Sequence, residues 1–217
     1  MRPLNPILSF LTLLTASCSV WNPDYVQDPD EALRELTTSA VEAGEDAAAT
    51  EQLQFAVEAI ATRHPNHVAS QVVAASIAME RGQQQRAQGF VERALDLDAR
   101  NVEARCLRVR IAVQDGSLDL ARKLVEDGLR LRPDASRLYE SAAWIDQLDE
   151  RHDDALRALD AAAALDAPAW RIAFHRGLIE ELRGEYDLAE SHYRAAWKAN
   201  PSCREARERL AGLQARR

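Results

Sequence analysis

A repeat with a period of 34 residues constrains this chain more than any other feature of its sequence. Small residues recur at that interval in three series, and a proline or alanine seam recurs in the same phase. The three series are Ala75, Val109, Ala143 and Gly177; Ala87, Ala121, Ala155 and Ala189; and Ala94, Gly128, Ala162 and Ala196. The seam residues are Pro65, Ala99, Pro133, Ala167 and Pro201. Unrelated helices would not hold several columns in one register, so the sequence predicts stacked copies of one unit.

Each copy has the pattern of two helices joined by a turn. The chain is rich in helix formers and contains only eight glycines. Gly82, Gly116 and Gly184 share one position between the two helices, where glycine ends a helix in the left-handed conformation without a steric penalty. Glu150 occupies that position in the remaining copy. We expect Asp153 to cap the following helix there instead.

This pattern resembles the tetratricopeptide repeat (TPR). The resemblance implies an all-α fold, a right-handed α-solenoid of stacked antiparallel helix pairs with about five repeats and a C-terminal capping helix. The predicted segments are a degenerate helix pair over 28–67, regular repeats over 68–101, 102–135, 136–169 and 170–203, and a capping helix over 204–217. In the degenerate pair we expect a helix capped by Asp28, then a helix from Glu51 capped by Thr50.

Packing explains why the columns hold small residues. Helices that cross closely need small side chains at the crossing, and enlarging one should cost roughly 1–3 kcal/mol through overpacking. Larger apolar residues recur as well, and we expect them to fill the seams between helix pairs. They are Ile77, Ile111, Ile145 and Ile179, together with Leu97, Leu131 and Leu165.

The first 17 residues have the order of a secretory signal peptide, with Arg2, a short apolar run and small residues before Cys18. The apolar run is far shorter than the ~20 residues that a spanning helix needs. The ending LTASC resembles a bacterial lipobox, which implies a diacylated Cys18 followed by a tether over 18–27. An ordinary cleaved signal, or an apolar start to a cytosolic protein, is the alternative. The residue after the cysteine is Ser19 and not aspartate, which by similarity to enterobacterial lipoproteins implies the periplasmic face of the outer membrane rather than the inner membrane.

The TPR resemblance also implies a concave groove lined by the first helix of each pair. The positions carried over from the family predict a peptide-binding groove whose principal residues are Val72, Met79, Arg110, Val113, Arg137, Trp144, Arg171, Phe174 and Leu178. Aromatic and arginine residues are enriched in binding hot spots, and arginine can hold a carboxylate. We therefore expect a partner peptide with apolar anchors and some acidic character. The alternative is that Trp144 and Phe174 serve packing and that the arginines are solvated.

Composition and motifs argue against several other functions. A formal net charge of −8 lacks the basic footprint of nucleic-acid binding. The three scattered cysteines fit neither a disulfide framework nor a zinc knuckle. His175 and His192 could approach each other, but two histidines are a weak metal signal. The sequence has no phosphate loop, zinc-protease motif or nucleophile elbow, so we expect no metal, cofactor or catalytic residue.

The sequence thus predicts a non-catalytic interaction scaffold, a TPR lipoprotein that binds peptide segments of an envelope assembly partner. Two alternatives stay open. One is a soluble adaptor or holdase without a lipid, and the other is an accessory subunit of a cell-wall-modifying enzyme. The lysine- and asparagine-based clamp of relatives that bind chaperone tails is missing, which disfavours a co-chaperone role.

Overall fold

The computed structural model describes residues 28–43 and 47–215 of the 217-residue chain. Within these residues all regular structure is helical, which confirms the all-α fold class. The helices are α1 (Pro29–Ala43), α2 (Ala47–Arg63), α3 (Val68–Glu80), α4 (Gln84–Leu97), α5 (Val102–Gln114), α6 (Leu118–Leu131), α7 (Ser136–Leu148), α8 (His152–Ala164), α9 (Ala169–Leu182), α10 (Tyr186–Ala199) and α11 (Arg204–Gln214). The predicted signal peptide, the tether and Cys18 lie outside the described residues.

The chain divides into two compact units, one ending at Ala74 and one starting at Ala75. In the first unit, α1 packs against α2. The Asp28 carboxylate accepts a hydrogen bond from the backbone N of Asp30 at 2.9 Å, so Asp28 caps α1 as predicted.

The second helix of the first unit differs from its prediction. It begins at Ala47, so Thr50 lies inside α2 and cannot be its N-cap. Three consecutive alanines, residues 47–49, are strong helix formers and extend the helix toward its N-terminus.

In the second unit, helices pack in the order that stacked pairs require. The pairs α5–α6, α7–α8 and α9–α10 each pack together, and each second helix also contacts the first helix of the next pair. The first helices touch one another too, α5 with α7 and α7 with α9. The rows α5, α7 and α9 therefore share one side of the stack. The division into repeats at the predicted boundaries stays a prediction.

The turns between paired helices have one backbone conformation whatever residue occupies them. Gly82, Gly116 and Gly184 have φ angles of 68°, 72° and 79°. Glu150 adopts the same conformation at φ 57°, so the prediction that this turn would differ was wrong. The hydrogen bond that closes each turn also matches, for example Ser117 N to Ala112 O at 2.9 Å and Arg151 N to Asp146 O at 2.8 Å.

Ion pairs hold the Glu150 turn from both sides. Arg122 of α6 contacts Asp149 at 2.9 Å and Asp146 at 3.8 Å, and Arg151 also binds Asp146. Asp153 does not cap α8; its carboxylate lies 3.4 Å from Arg183 at the next turn. The packed helices and these contacts fix the turn geometry, and Glu150 accepts the strain of a left-handed residue.

The recurring large apolar residues divide into two groups. The four isoleucines, from Ile77 to Ile179, are buried as expected. Leu97 and Leu131, however, are 40% and 39% exposed, so the prediction that these two fill seams was wrong. Each is the last residue of its helix, and the next residue turns away with φ −138°. Leu165 is half-buried.

Two glycines of the small-residue series sit where neighbouring side chains leave no room for larger residues. A Cβ added at Gly177 would lie 2.6 Å from the Tyr193 ring, and one added at Gly128 would lie 2.9 Å from Leu138. At the end of the stack, α11 buries Leu210 and Leu213 against the last pair, together with Ala206 in an adjacent cluster. This helix covers the last apolar face, as solenoids require.

Candidate functional site

The side of the stack formed by α5, α7 and α9 is the candidate site. Residues seven and eleven positions apart share a helix face, so Arg137, Trp144 and Leu148 of α7 point the same way. The equivalent residues are Glu103, Arg110 and Gln114 on α5, and Arg171, Leu178 and Leu182 on α9. We call these nine residues the groove face.

Three ion pairs run between successive helices along this side. Glu103 of α5 lies 3.9 Å from Arg137 of α7, and the Glu140 carboxylate of α7 accepts a hydrogen bond of 2.6 Å from Arg171 of α9. Glu181 of α9 lies 3.4 Å from Arg209 of α11. In each pair the earlier helix supplies the carboxylate and the later helix supplies the arginine.

These pairs separate the three predicted groove arginines into two kinds. Arg171 and Glu140 are both largely withdrawn from water, so breaking this pair would leave a poorly solvated charge. Arg137 is more exposed, and its longer contact with Glu103 contributes little. Arg110 is exposed and forms no hydrogen bond or ion pair with any described residue. Arg110 is thus the groove arginine whose charge is available to a partner.

The remaining predicted groove residues vary in accessibility. Val72 is half-buried, and Met79 is only 4% exposed, which leaves Met79 no surface for a partner. Val113 packs against the core cluster that contains Val109 and Val125. These residues support the helices and add little to the accessible lining.

Phe174 and Leu178 of α9 are partly buried against the end of the stack. Phe174 contacts two core clusters, and its ring centroid lies 5.9 Å from that of Tyr193. Leu178 packs against the cluster formed by Tyr193, Leu210 and their neighbours. Phe174 therefore serves packing to a large extent, the alternative considered for it from the sequence. Trp144 is half-buried.

Two apolar residues of the groove face were missed from the sequence. Leu148 and Leu182 are 45% and 59% exposed at the C-terminal ends of α7 and α9. Both share the register of Gln114, the thirteenth position of the repeat, so the family pattern could have identified them. With Trp144 and Leu178, they make the C-terminal halves of α7 and α9 apolar on this side.

Burial alters the titration of several groups near this surface. It raises the pKa of the Cys106 thiol, which Ser141 contacts through a hydrogen bond of 3.7 Å. Burial, and then the Arg171 charge, lower the pKa of His175. Burial, and then Arg176, lower that of His192. A neutral, partly buried thiol acts as a small apolar group rather than a nucleophile.

Over the described ranges, His, Cys, Asp and Glu side chains form no group of three that could hold a metal ion. Within the same ranges, no helix combines the length and apolar character needed to cross a membrane.

Comparisons with solved structures support the same architecture. A thermophilic TPR protein of Thermus thermophilus is 18% identical with a TM-score of 0.74, covering 87% of this chain and all of that one. A TPR protein of Parabacteroides merdae is 16% identical with a TM-score of 0.69, covering 86% and 78%. A chain of the APC/C hetero-tetramer Cut9–Hcn1 is 14% identical with a TM-score of 0.61, covering 85% and 39%.

Sequence comparisons identify the family directly. No curated protein sequence matches the chain significantly. The family model of the tetratricopeptide repeat matches residues 72–136 and 149–202, which together exceed half of the chain. The matched ranges contain α5 and α9 of the groove face, and α7 lies between them except for its first residue, Ser136. The chain belongs to the tetratricopeptide repeat family.

Proposed function

We propose that this protein is a non-catalytic scaffold that binds a peptide segment of a protein partner on the groove face. The carrying observation is the face itself, which presents exposed leucines, a half-buried tryptophan and an arginine that has no partner among the described residues. Such a surface matches the aromatic and arginine composition of binding hot spots. TPR families are generally non-catalytic, and one structural neighbour is part of a hetero-tetramer.

We further propose that a lipid on Cys18 holds the scaffold in a bacterial cell envelope, on the periplasmic face of the outer membrane. Support comes from the sequence order of a basic residue, an apolar run and small residues before the cysteine. Stable anchoring takes two lipid chains, because one chain binds a membrane only marginally. The partner is then an envelope assembly protein, and the lipid determines where the scaffold meets it.

A site-specific crosslink tests the groove. A photo-crosslinking amino acid replaces Trp144 in the native host, and mass spectrometry identifies the adducts. The matched control carries it at Leu120, an exposed apolar position of α6, outside the row of first helices. One discrete envelope-protein adduct from position 144, not found from 120, supports the proposal. Diffuse adducts from both positions would favour a holdase, and no adduct from the folded protein would overturn groove binding.

Subcellular fractionation tests the anchor independently. Cys18→Ala should move the protein from the membrane to the soluble fraction, because the acylated side chain is lost. Cys106→Ala is the control, since Cys106 lies within α5. Unchanged membrane partition of the Cys18 variant would overturn the lipid anchor. A wild-type protein found in the soluble fraction would favour the soluble adaptor instead.

A further inference from the structure

We infer that the groove face selects a segment in which large apolar side chains lie beside a carboxylate, and that Arg110 binds this carboxylate. The inference rests on the proposed function, because it concerns the same surface and names the chemistry of its occupant. The charge pattern, the placement of the apolar residues and the internal ion pairs each support it.

Charge complementarity identifies the acidic element. Arg137 and Arg171 already face Glu103 and Glu140 of the neighbouring helices. An incoming carboxylate at those positions would be repelled by the carboxylate already present, even at Arg137, whose own ion pair is weak. Arg110 has no partner among the described residues, and its planar guanidinium can hold a carboxylate through two hydrogen bonds. The acidic group of a partner is therefore expected at the α5 end of the face.

The apolar element lies beside it. Arg110, Trp144 and Leu178 occupy equivalent positions on three helices that pack side by side, so one row presents a cation, an indole and a leucine. One turn further along, the exposed side chains of Leu148 and Leu182 continue the apolar part. Water-exposed leucines gain most from covering by apolar side chains.

The two ends of the groove face thus differ. At the N-terminal ends of α7 and α9 the residues are charged and internally paired, whereas toward the C-terminal ends the groove-face residues are apolar. The charged Glu181 beside them is paired with Arg209 of α11. Apolar anchors should therefore lie along the C-terminal halves of α7 and α9, with an acidic residue directed toward α5. A basic partner is disfavoured because Arg110 would repel it.

Selection from a random peptide library tests this chemistry. The probe is a phage-displayed library of random peptides, and the target is the purified chain from Ser19 onward, which keeps every described residue. The wild type should enrich peptides that combine leucine or aromatic residues with aspartate or glutamate. Arg110→Glu should bind those peptides about tenfold more weakly, because like charges then face each other, and should enrich lysine or arginine in place of the acid.

Arg108→Glu supplies the matched control on the same helix. Arg108 is also exposed and has no partner among the described residues, but it lies on a different face of α5. Its selection should equal that of the wild type, while Leu182→Ser should lose the apolar preference. Folding of each variant is checked by its circular dichroism spectrum and Tm.

The possible results test this inference separately from the proposed function. Enriched peptides that lack acids, or that bind Arg110→Glu and Arg108→Glu equally, would overturn this inference while leaving peptide binding intact. No enrichment by the folded wild type would also overturn it. The proposed function would still be judged separately by the crosslink from position 144 in the host.

Discussion

The helix pairs α5–α6 and α9–α10 solve one packing problem with different residues. In α5–α6, the equivalent positions hold Val109, Val113 and Val125, which pack together in one apolar cluster. The equivalent positions of α9–α10 lie 68 residues further along the chain, which is twice the 34-residue period. They hold Gly177, Glu181 and Tyr193 in the same order. There the tyrosine ring lies over the glycine, and its hydroxyl donates a hydrogen bond of 2.7 Å to Glu181.

The difference shows that the repeat preserves a combination of residues rather than each residue separately. The missing side chain of Gly177 gives Tyr193 its space, and Glu181 satisfies a hydroxyl that would otherwise be buried without a partner. Between these two helix pairs, all three positions therefore differ together. A single substitution that transfers one member of the set should fail, and a coordinated one should succeed.

The largest effect is expected for Gly177→Val, which places the residue of α5 into α9. The new side chain would meet the Tyr193 ring, because even a Cβ lies 2.6 Å from it. We expect a loss of about 2–3 kcal/mol in the free energy of unfolding, measured by urea denaturation. Gly89→Ala is the control, since no described atom beyond its own helical backbone and chain neighbours lies within 4 Å of that Cβ, and it should stabilise slightly.

A double substitution sharpens the comparison. Gly177→Val combined with Tyr193→Val recreates two of the three residues of α5–α6 and should recover part of the loss, because the clash disappears. A double variant no more stable than Gly177→Val alone would contradict compensation between these positions.

A smaller loss is expected for Tyr193→Phe. Removing the hydroxyl leaves Glu181 with Arg209 as its described partner and should cost about 1–2 kcal/mol. Tyr139→Phe is a fitting control, because Tyr139 is only partly buried against its cluster. Equal denaturation curves for the Tyr193 variant and the wild type would show that the hydrogen bond contributes nothing.

Tyr193 in the α9–α10 pair should also make the free energy of unfolding depend on pH in the alkaline range. Burial, and then the hydrogen bond to Glu181, raise the pKa of Tyr193 above its ordinary value of 10.0. As the pH rises, the tyrosine hydroxyl therefore loses its proton in the unfolded chain before it does so in the folded protein. The free energy of unfolding is unaffected by this group below pH 10 and declines as the pH rises above 10. One such proton changes stability by at most about 1.4 kcal/mol per pH unit. Thermal denaturation between pH values of about 9 and 11 should show a shallower decline for Tyr193→Phe.

The smallest effect is expected for a substitution in the turn between α7 and α8. Glu150→Gly places a glycine where the other pairs have one and removes the strain of a left-handed residue, although it also gives the unfolded chain greater freedom. We expect a net gain of about 0.5–1 kcal/mol in urea denaturation. Glu185→Gly, at an N-cap with φ −84°, relieves no left-handed strain and should bring no comparable gain. A loss of stability in the Glu150 variant would mean that the contacts of the glutamate side chain stabilise the fold by more than the left-handed backbone strain destabilises it.

Periodicity in the sequence was sufficient to predict the helices of the regular repeats and their order, because packing at each crossing demands small residues at a fixed interval. The Glu150 turn escaped prediction since neighbouring helices and Arg122 determine its backbone, and local propensity does not. The Glu140–Arg171 pair was missed because its residues are 31 positions apart, so they do not occupy equivalent positions of the 34-residue repeat. Leu148 and Leu182 were overlooked because their counterpart on α5 is the polar Gln114.

The direction of the three ion pairs has a consequence for how such a chain can grow. The segment 136–169 carries both an arginine for the helix before it and a glutamate for the helix after it. A tandem duplication of that segment would meet Glu103 at one end and Arg171 at the other. Its two copies would join through Glu140 and the second Arg137. The pairing would persist at every junction, so the length of the array can change without new charges having to evolve.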